Sequence, residues 1–378
     1  ITCALAMSYV GVRGGGEVGF AGFAVKENAG FSFENPGIGG FPAWQVAAEC
    51  WSAGMQTYER RAFRPTGRFI RQVPPTPMVP VTLDAEVGEI WCKLEFMNPS
   101  GSTKDRIARH ILEKAWRRGE LKEGDTVVEA SSGSTSIALA LACAQMGLKF
   151  VAFIPEAATA ERGLMIRAYG GEVRRIGGGM QCVLDAAVSA ADEHGWFAAR
   201  QFENPDNAEA HRLATGPEIL SQMECGCVDA VVSGVGTGGT LRGLWEAFAE
   251  AGCDALAVAA IPCEGDAFGH NAECCSLAFS KEVPGVVECL SKLYEDWKGE
   301  CADGVLEEMM IDEGDCLRLT KELWGLGFPV GPSSGLNYAA AIATKRRLGA
   351  DARVVTVFPD RMERYFSHNV FADLRGED

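Results

Sequence analysis

From about residue 89 onward, short apolar runs alternate with longer stretches whose apolar residues recur every three or four positions. The short runs predict strands and the periodic stretches predict helices. "EIWCKLEF" (89–96) reads as a strand. "KDRIARHILEKAWRRGEL" (104–121) reads as a helix with Ile107, Ile111 and Ala115 on its apolar face. "DTVVEA" (125–130) is a strand, and "STSIALALACAQMG" a buried helix stopped by Gly147. "KFVAFIP" is a strand, "AERGLMIRAYGG" a helix and "EVRRIGG" a strand. "DNAEAHRLATGPEILSQM" (206–223) is helical with a kink at Pro217, where the ladder loses an N–H. "VDAVVSG" is a strand, "TLRGLWEAFAEAG" a helix and "ALAVAAIPCEG" a strand. "GDCLRLTKELWGLG" and "GLNYAAAIATKRRLG" are helices, and "RVVTVFP" a final strand. The fold class this rhythm predicts is α/β: a mostly parallel sheet covered by helices, divided between two lobes.

The upstream part lacks that rhythm. Residues 1–43 are rich in Gly and Phe without a clear period, and residues 44–60 read as a helix. "RQVPPTPMVPV" (71–81) is punctuated by proline and reads as an extended linker. Residues 1–71 are thus expected to be an N-terminal extension.

Composition narrows the function classes. At 378 residues and 47% hydrophobic content, the chain can bury a large core. Its net charge is −16 with no basic stripe, which excludes nucleic acid as the expected partner. No apolar run reaches the roughly 18 residues of a membrane span, so no membrane partner is expected. The opening "ITCALAMSYVGV" has no basic segment to support a signal peptide. Of fourteen cysteines, Cys92, Cys143 and Cys253 sit in apolar segments, where thiols act as small hydrophobes. The close pairs Cys225/Cys227 and Cys274/Cys275 lack a second pair at zinc spacing, so no metal site is expected. Reduced thiols and a cytoplasmic setting follow as expectations.

The chemistry-bearing stretch is "VVSGVGTGGTLRG" (231–243), a Gly-rich turn between a strand and a helix. Gly234, Gly236 and Gly239 fit the G-x-G-x-x-G spacing of a dinucleotide site, with Glu264 near the place of a ribose-binding acid. That reading is a nicotinamide-dependent oxidoreductase. The same turn also suits a single phosphate held by helix N-terminal amides, with Thr237 and Thr240 adding hydroxyls. A tight turn without ligand is the third reading, and the motif alone does not choose. Lys104 follows a small, turn-rich segment and opens a helix, whose positive end lowers an amine's pKa. A neutral amine is a nucleophile for an aldehyde.

In order along the chain stand "NPSGSTKDRI", "EASSGSTS", "RQFENPDNAEAH", "TGPEI", "GVGTGGT", "GPSSG" and "FPDRMERY". This series resembles the pyridoxal-phosphate enzymes of the cysteine synthase and cystathionine β-synthase family, fold type II, over roughly residues 72–366. The resemblance overrides the dinucleotide reading. It implies pyridoxal 5′-phosphate as cofactor and Lys104 as the Schiff-base lysine, approached through Asn98. It implies that Ser131, Ser132, Gly133, Ser134 and Thr135 form the loop on the substrate carboxylate, which Gln201 also reaches. Gly236, Thr237, Gly238, Gly239 and Thr240 would cup the cofactor phosphate, and Ser333 would face the pyridine nitrogen. A hydroxyl there leaves the ring a weaker electron sink than a carboxylate would, which suits β-elimination. Lys104, once released, would act as base for the substrate Cα proton. His110 and His211 are expected to be structural.

The resemblance further implies a smaller lobe at residues 98–204, a larger lobe from 72–97 with 205–378, and a homodimer. The implied reaction is β-replacement or β-elimination on an activated L-serine or cysteine. Cysteine synthesis from O-activated serine and sulfide comes first. Cystathionine synthesis with another thiol and cysteine desulfhydration are the alternatives. A non-catalytic partner-binding paralogue is a further alternative, opposed by the intact Lys104. The chain departs from the family in three places. Ser134 replaces the usual Asn, which contacts the cofactor 3′ oxygen. Arg361 and Met362 interrupt the usual "PDSGERY". Residues 284–310 do not match the usual Gly-rich stretch at the site entrance. The absence of a Cys-Pro haem motif, with 13 residues after Tyr365, argues against the haem-bearing, regulated subtype.

Overall fold

The computed structural model describes residues 73–224, 226–263, 282–285 and 291–376. The expected extension 1–71, with its helix at 44–60, lies outside them, as do Glu264, Cys225 and the Cys274/Cys275 pair.

Ten strands form two sheets among the described residues. The first six are β1 (Met78–Val81), β2 (Ile90–Lys93), β3 (Thr126–Ala130), β4 (Lys149–Pro155), β5 (Glu172–Ile176) and β6 (Phe197–Ala198). They are followed by β7 (Ala230–Gly234), β8 (Leu256–Cys263), β9 (Leu306–Asp312) and β10 (Val354–Val357). The larger sheet runs β1-β2-β10-β7-β8-β9 and the smaller β5-β4-β3-β6. Only the β1–β2 pair is antiparallel. The central strands are apolar on both faces because helices cover both, as parallel sheets require. In β10, Val354 joins one core cluster, while Val355 and Val357 join the other across the sheet. The smaller sheet divides its apolar residues in the same way, with Val127 on one side and Val128 on the other. Each fully buried side chain of this size contributes about 1.5–3 kcal/mol.

The helices are α1 (Lys104–Arg118), α2 (Ser134–Met146), α3 (Ala160–Ala168), α4 (Met180–His194), α5 (Asp206–Ala210), α6 (Gly216–Gln222) and α7 (Gly239–Glu250). After them come α8 (Lys292–Glu300), α9 (Glu313–Gly325), α10 (Pro332–Leu348) and α11 (Ala372–Arg375). Ile107, Ile111 and Ala115 are buried on α1 as expected, and Cys92, Cys143 and Cys253 are free and buried. None of the described helices is long and apolar enough to cross a membrane.

Several elements differ from the sequence reading. The "linker" contains β1, which pairs Val79 opposite Cys92. The strand read at 89–96 stops at Lys93, and a 3-10 turn follows at Glu95–Met97. A buried ion network explains the stop. Arg106 bonds Glu95 at 2.8 Å and Glu218 at 2.5 Å, and Lys93 bonds Glu218 at 2.9 Å. Burial alone would raise the Glu95 carboxyl, but Arg106 beside it holds it down at about 2. The network ties β2, α1 and α6 together and so fixes the start of α1. Between α5 and α6 lies a π-helical turn, His211–Thr215. Pro217 then falls in the first turn of α6, where a missing N–H is tolerated, so the wide turn stands in place of the expected kink.

Candidate active site

Lys104 is the first residue of α1, and the turn before it is pinned from three sides. The Asp105 carboxylate accepts the Ser100 N–H at 3.1 Å and the Ser100 hydroxyl at 2.6 Å. Arg364 donates to the carbonyls of Ser100 (2.6 Å) and Gly101 (2.8 Å). Ser102 bridges to Asp360. The Lys104 side chain thereby lines a cleft between the two sheets' carboxyl ends. Burial lowers its pKa from 10.5 to about 8, against the opposing pull of Asp360. The sequence reading credited the helix end; the cause in the structure is desolvation.

The loop after β3 forms one wall. Ser132, Ser134 and Thr135 line the cleft, but Ser131 and Gly133 do not. The Ser131 hydroxyl is turned inward, accepting the Gly133 N–H at 3.1 Å and sharing a hydrogen bond with Ser136 at 2.6 Å. Gly133 has φ +138°, and a Cβ there would lie 2.4 Å from Arg162 Cδ. That buried arginine donates to the Ser132 carbonyl at 3.0 Å and so holds the loop from beneath. Gln201 lines the cleft opposite. Its Nε2 donates to the Ala130 carbonyl at 2.8 Å, and its Oε1 accepts the Thr135 hydroxyl at 2.6 Å. Its backbone N–H is held by Glu129, a buried carboxyl that desolvation pushes up to about 8.

The Gly-rich turn forms the floor. Gly236, Thr237 and Thr240 line the cleft, whereas Gly238 and Gly239 lie behind it. Gly238 is left-handed (φ +77°), and a Cβ there would meet Tyr294 at 2.7 Å. A Cβ on Gly239 would meet Asn207 Oδ1 at 2.1 Å, and one on Gly236 would meet the Gly285 carbonyl at 2.4 Å. The glycines therefore permit close packing on every side of the turn. Ser333, half-buried near the start of α10, lines the remaining wall. One turn later, Asn337 accepts the Gly234 N–H at 2.6 Å and donates to the Val357 carbonyl at 2.7 Å, joining β7 to β10.

Sequence reasoning passed over Asp360, Asn337, Pro284 and Gly285, which also line the cleft. Asp360 Oδ2 accepts hydroxyls from both Ser134 and Tyr365, while its buried Oδ1 has no partner among the described residues. His110, Asp206 and Glu209 bring ligand-type atoms within 4.8 Å of one another, but the Lys114 ammonium bonds both carboxylates and supplies the cation there.

A nucleophilic amine, a glycine turn at a helix N-terminus and a hydroxyl-lined cleft between two mostly parallel sheets define a cofactor-dependent α/β enzyme. The description "Pyridoxal-phosphate dependent enzyme" matches residues 70–360, and the chain belongs to that family. It is similar to a cysteine synthase of Staphylococcus aureus (strain Mu50), 36% identical over 321 residues, covering 82% of this chain and 99% of the relative. The solved O-ureido-L-serine synthase has a TM-score of 0.69 and 31% identity, over 80% of this chain and 94% of that one. A hydrogen sulfide-producing enzyme from Fusobacterium nucleatum has a TM-score of 0.72 and 29% identity, over 81% and 91%.

The residues present fit the cofactor. The turn at Gly236–Thr240 offers amides and two hydroxyls to a phosphate, its glycines leave no room for a Cβ, and the amine is tuned toward its neutral form. Pyridoxal phosphate supplies an aldehyde for a lysine and a ring that withdraws electrons from the substrate Cα.

Proposed function

We propose that the chain replaces the β-substituent of an O-activated L-serine with a thiol, cysteine from sulfide being the first product. The observation that carries this reading is the convergence of Lys104, the Ser132–Thr135 wall with Gln201, the Gly236–Thr240 turn and Ser333 on one cleft. Lys104 carries the cofactor and afterwards takes the substrate Cα proton. Gln201 and the Ser132–Thr135 wall hold the substrate carboxylate, with Arg162 and Glu129 fixing them. The two threonines and the α7 amides hold the cofactor phosphate. Ser333 would face the ring nitrogen with a neutral hydroxyl, and a ring held that way would supply a moderate electron sink, suited to loss of the β-substituent. The likeness to cysteine synthases supports the same reaction class.

In this reading residues 98–204 form the smaller lobe, and 72–97 with 205–378 the larger. The chain works as a cytoplasmic homodimer, which light scattering after size-exclusion chromatography checks. Product analysis tests the reaction. The purified protein is incubated with O-acetylserine, O-phosphoserine, serine or cysteine, each with and without sulfide or homocysteine. Cysteine from an O-activated serine plus sulfide supports the proposal. Sulfide release from cysteine alone, with no replacement product, replaces it with desulfhydration; the Fusobacterium relative is itself a hydrogen sulfide-producing enzyme.

A further inference from the structure

Beneath the Gly-rich turn lies a second layer of polar residues. Asn207 and His211 are one helical turn apart and both fully buried. They face Thr237 and Thr240, which are three residues apart at the start of α7. The π-helical turn beginning at His211 and the glycines of α7 make this possible. A Cβ on Gly243 would lie 2.2 Å from the Ala208 carbonyl and 2.8 Å from His211 Cβ. Without one, α7 lies directly on the helix that carries both residues.

The hydrogen bonds fix the direction of one hydroxyl. Asn207 Nδ2 donates to the Gln201 carbonyl at 2.8 Å, a contact that only the nitrogen can make, so the amide orientation is settled. The same nitrogen donates to Thr237 Oγ1 at 2.9 Å, and the Gly239 N–H also reaches that oxygen at 3.3 Å. Both lone pairs of Thr237 Oγ1 are used, so its proton is left for the cleft it lines.

Thr240 has two possibilities. His211 Nε2 lies 3.2 Å from Thr240 Oγ1, and Nδ1 lies 3.0 Å from Thr215 Oγ1. In one direction Thr215 donates to Nδ1, Nε2–H donates to Thr240, and the Thr240 proton points into the cleft. In the other every bond is reversed, and Thr240 turns its proton inward. Both need a neutral ring. Burial provides it, pushing His211 down to about 3 despite Glu95, with Lys104, Arg106 and His110 acting in the same direction as burial. A phosphate only accepts hydrogen bonds, so it selects the first direction.

We infer that Asn207 and His211 are positioning residues that aim both threonine hydroxyl protons at the cofactor phosphate, and that the bound phosphate locks His211 in its Nε2–H tautomer. The inference rests on the reading that the phosphate sits on Gly236–Thr240.

The test is histidine-selective two-bond 1H–15N spectroscopy of the holoenzyme, of the cofactor-free protein and of that protein with inorganic phosphate. The holoenzyme and the phosphate-loaded protein are expected to show a neutral His211 with its proton on Nε2. A proton on Nδ1, or a charged ring, overturns the inference. Backbone amides of Thr237 and Thr240 are read from the same samples. If phosphate and cofactor leave them unmoved while Lys104 still takes up pyridoxal phosphate, the placement of the phosphate fails, and the inference with it. If they move but the tautomer is wrong, only the inference fails. Variants give a second readout. His211→Phe, which lacks a donor, should release cofactor about tenfold faster, whereas His211→Gln, which keeps an N–H, stays within about threefold of the parent. Equal release from both variants overturns the inference.

Discussion

Ser134 donates its hydroxyl proton to Asp360 Oδ2 at 3.1 Å, joining the loop after β3 to the turn after β10 across the cleft. Tyr365, buried behind the cleft, donates to the same oxygen at 2.7 Å, so one carboxylate oxygen accepts both hydroxyls. The family's Asn, with an amide to donate, is here a shorter group whose only proton is committed to a neighbour. The charge on Asp360 also acts on Lys104, stabilising its ammonium form.

That charge is measurable in the cofactor-free protein. Only the neutral amine attacks an aldehyde, so the rate of reaction with pyridoxal phosphate should rise with pH. Its midpoint should lie near 8, well below the 10.5 of an ordinary lysine. Asp360→Asn removes the interaction that favours the ammonium, so the midpoint moves to lower pH. Stopped-flow absorbance across pH 6–10 checks both. A midpoint that stays put in Asp360→Asn means that the carboxylate does not act on the amine.

Lys104→Ala should lose the covalent link to the cofactor while retaining the fold, because the side chain ends in the cleft and not in the core. Borohydride reduction of the parent followed by peptide mapping should place the label on Lys104. Label on another lysine would end the assignment.

Gly238 lies behind the turn, and its left-handed backbone and contact with Tyr294 leave no space for a side chain. Gly238→Val should weaken cofactor retention at least tenfold, on the order of 1.4 kcal/mol. Gly238→Ala should act in the same direction, because the first clash is with Cβ. Equilibrium dialysis against pyridoxal phosphate measures both, and retention equal to the parent would remove the turn from the phosphate site.

The amine and the turn were legible because their chemistry is local: a lysine after a turn and before a helix, and glycines spaced between a strand and a helix. Nine of the residues assigned from the motifs line the cleft: Lys104, Ser132, Ser134, Thr135, Gln201, Gly236, Thr237, Thr240 and Ser333. Ser131, Gly133, Gly238 and Gly239 belong to the same motifs but act from behind it, and a motif does not distinguish facing the ligand from supporting what faces it. Asp360 was passed over because its partner Ser134 is 226 positions away. The edge strand β9 was missed because "LEEMMID" is half-buried, without clean alternation. Asn207 and His211 did carry a signal, polar residues four apart on one helix face. It becomes readable only once α7 is known to lie against that face.

Ser333 tests the electronic argument. On the proposed placement, Ser333→Ala would remove one hydrogen bond to the ring nitrogen, typically worth about 0.5–1.5 kcal/mol, so β-elimination should fall moderately. Ser333→Asp sets a carboxylate beside the ring nitrogen, keeps a proton there and strengthens the ring as an electron sink. Elimination should fall further than in Ser333→Ala, while exchange of the substrate Cα proton with solvent increases. Deuterium uptake and product formation, followed together, separate these effects. If Ser333→Asp eliminates as fast as the parent, Ser333 does not face the nitrogen.

The place of β10 has a consequence for how the molecule is made. The smaller sheet draws on consecutive chain, residues 126–198, and can close while later segments are still being synthesised. The larger sheet cannot. Its strands β2 and β7 are neighbours only through β10, which leaves the ribosome last of the six. Until Val354–Val357 arrives, Lys104 follows a strand with an open edge, the Gly-rich turn follows another, and Asp360 does not yet exist. The newborn chain thus carries the amine and the turn long before it can hold them together, and on the proposed placement the cofactor would find its site only after the last strand is inserted.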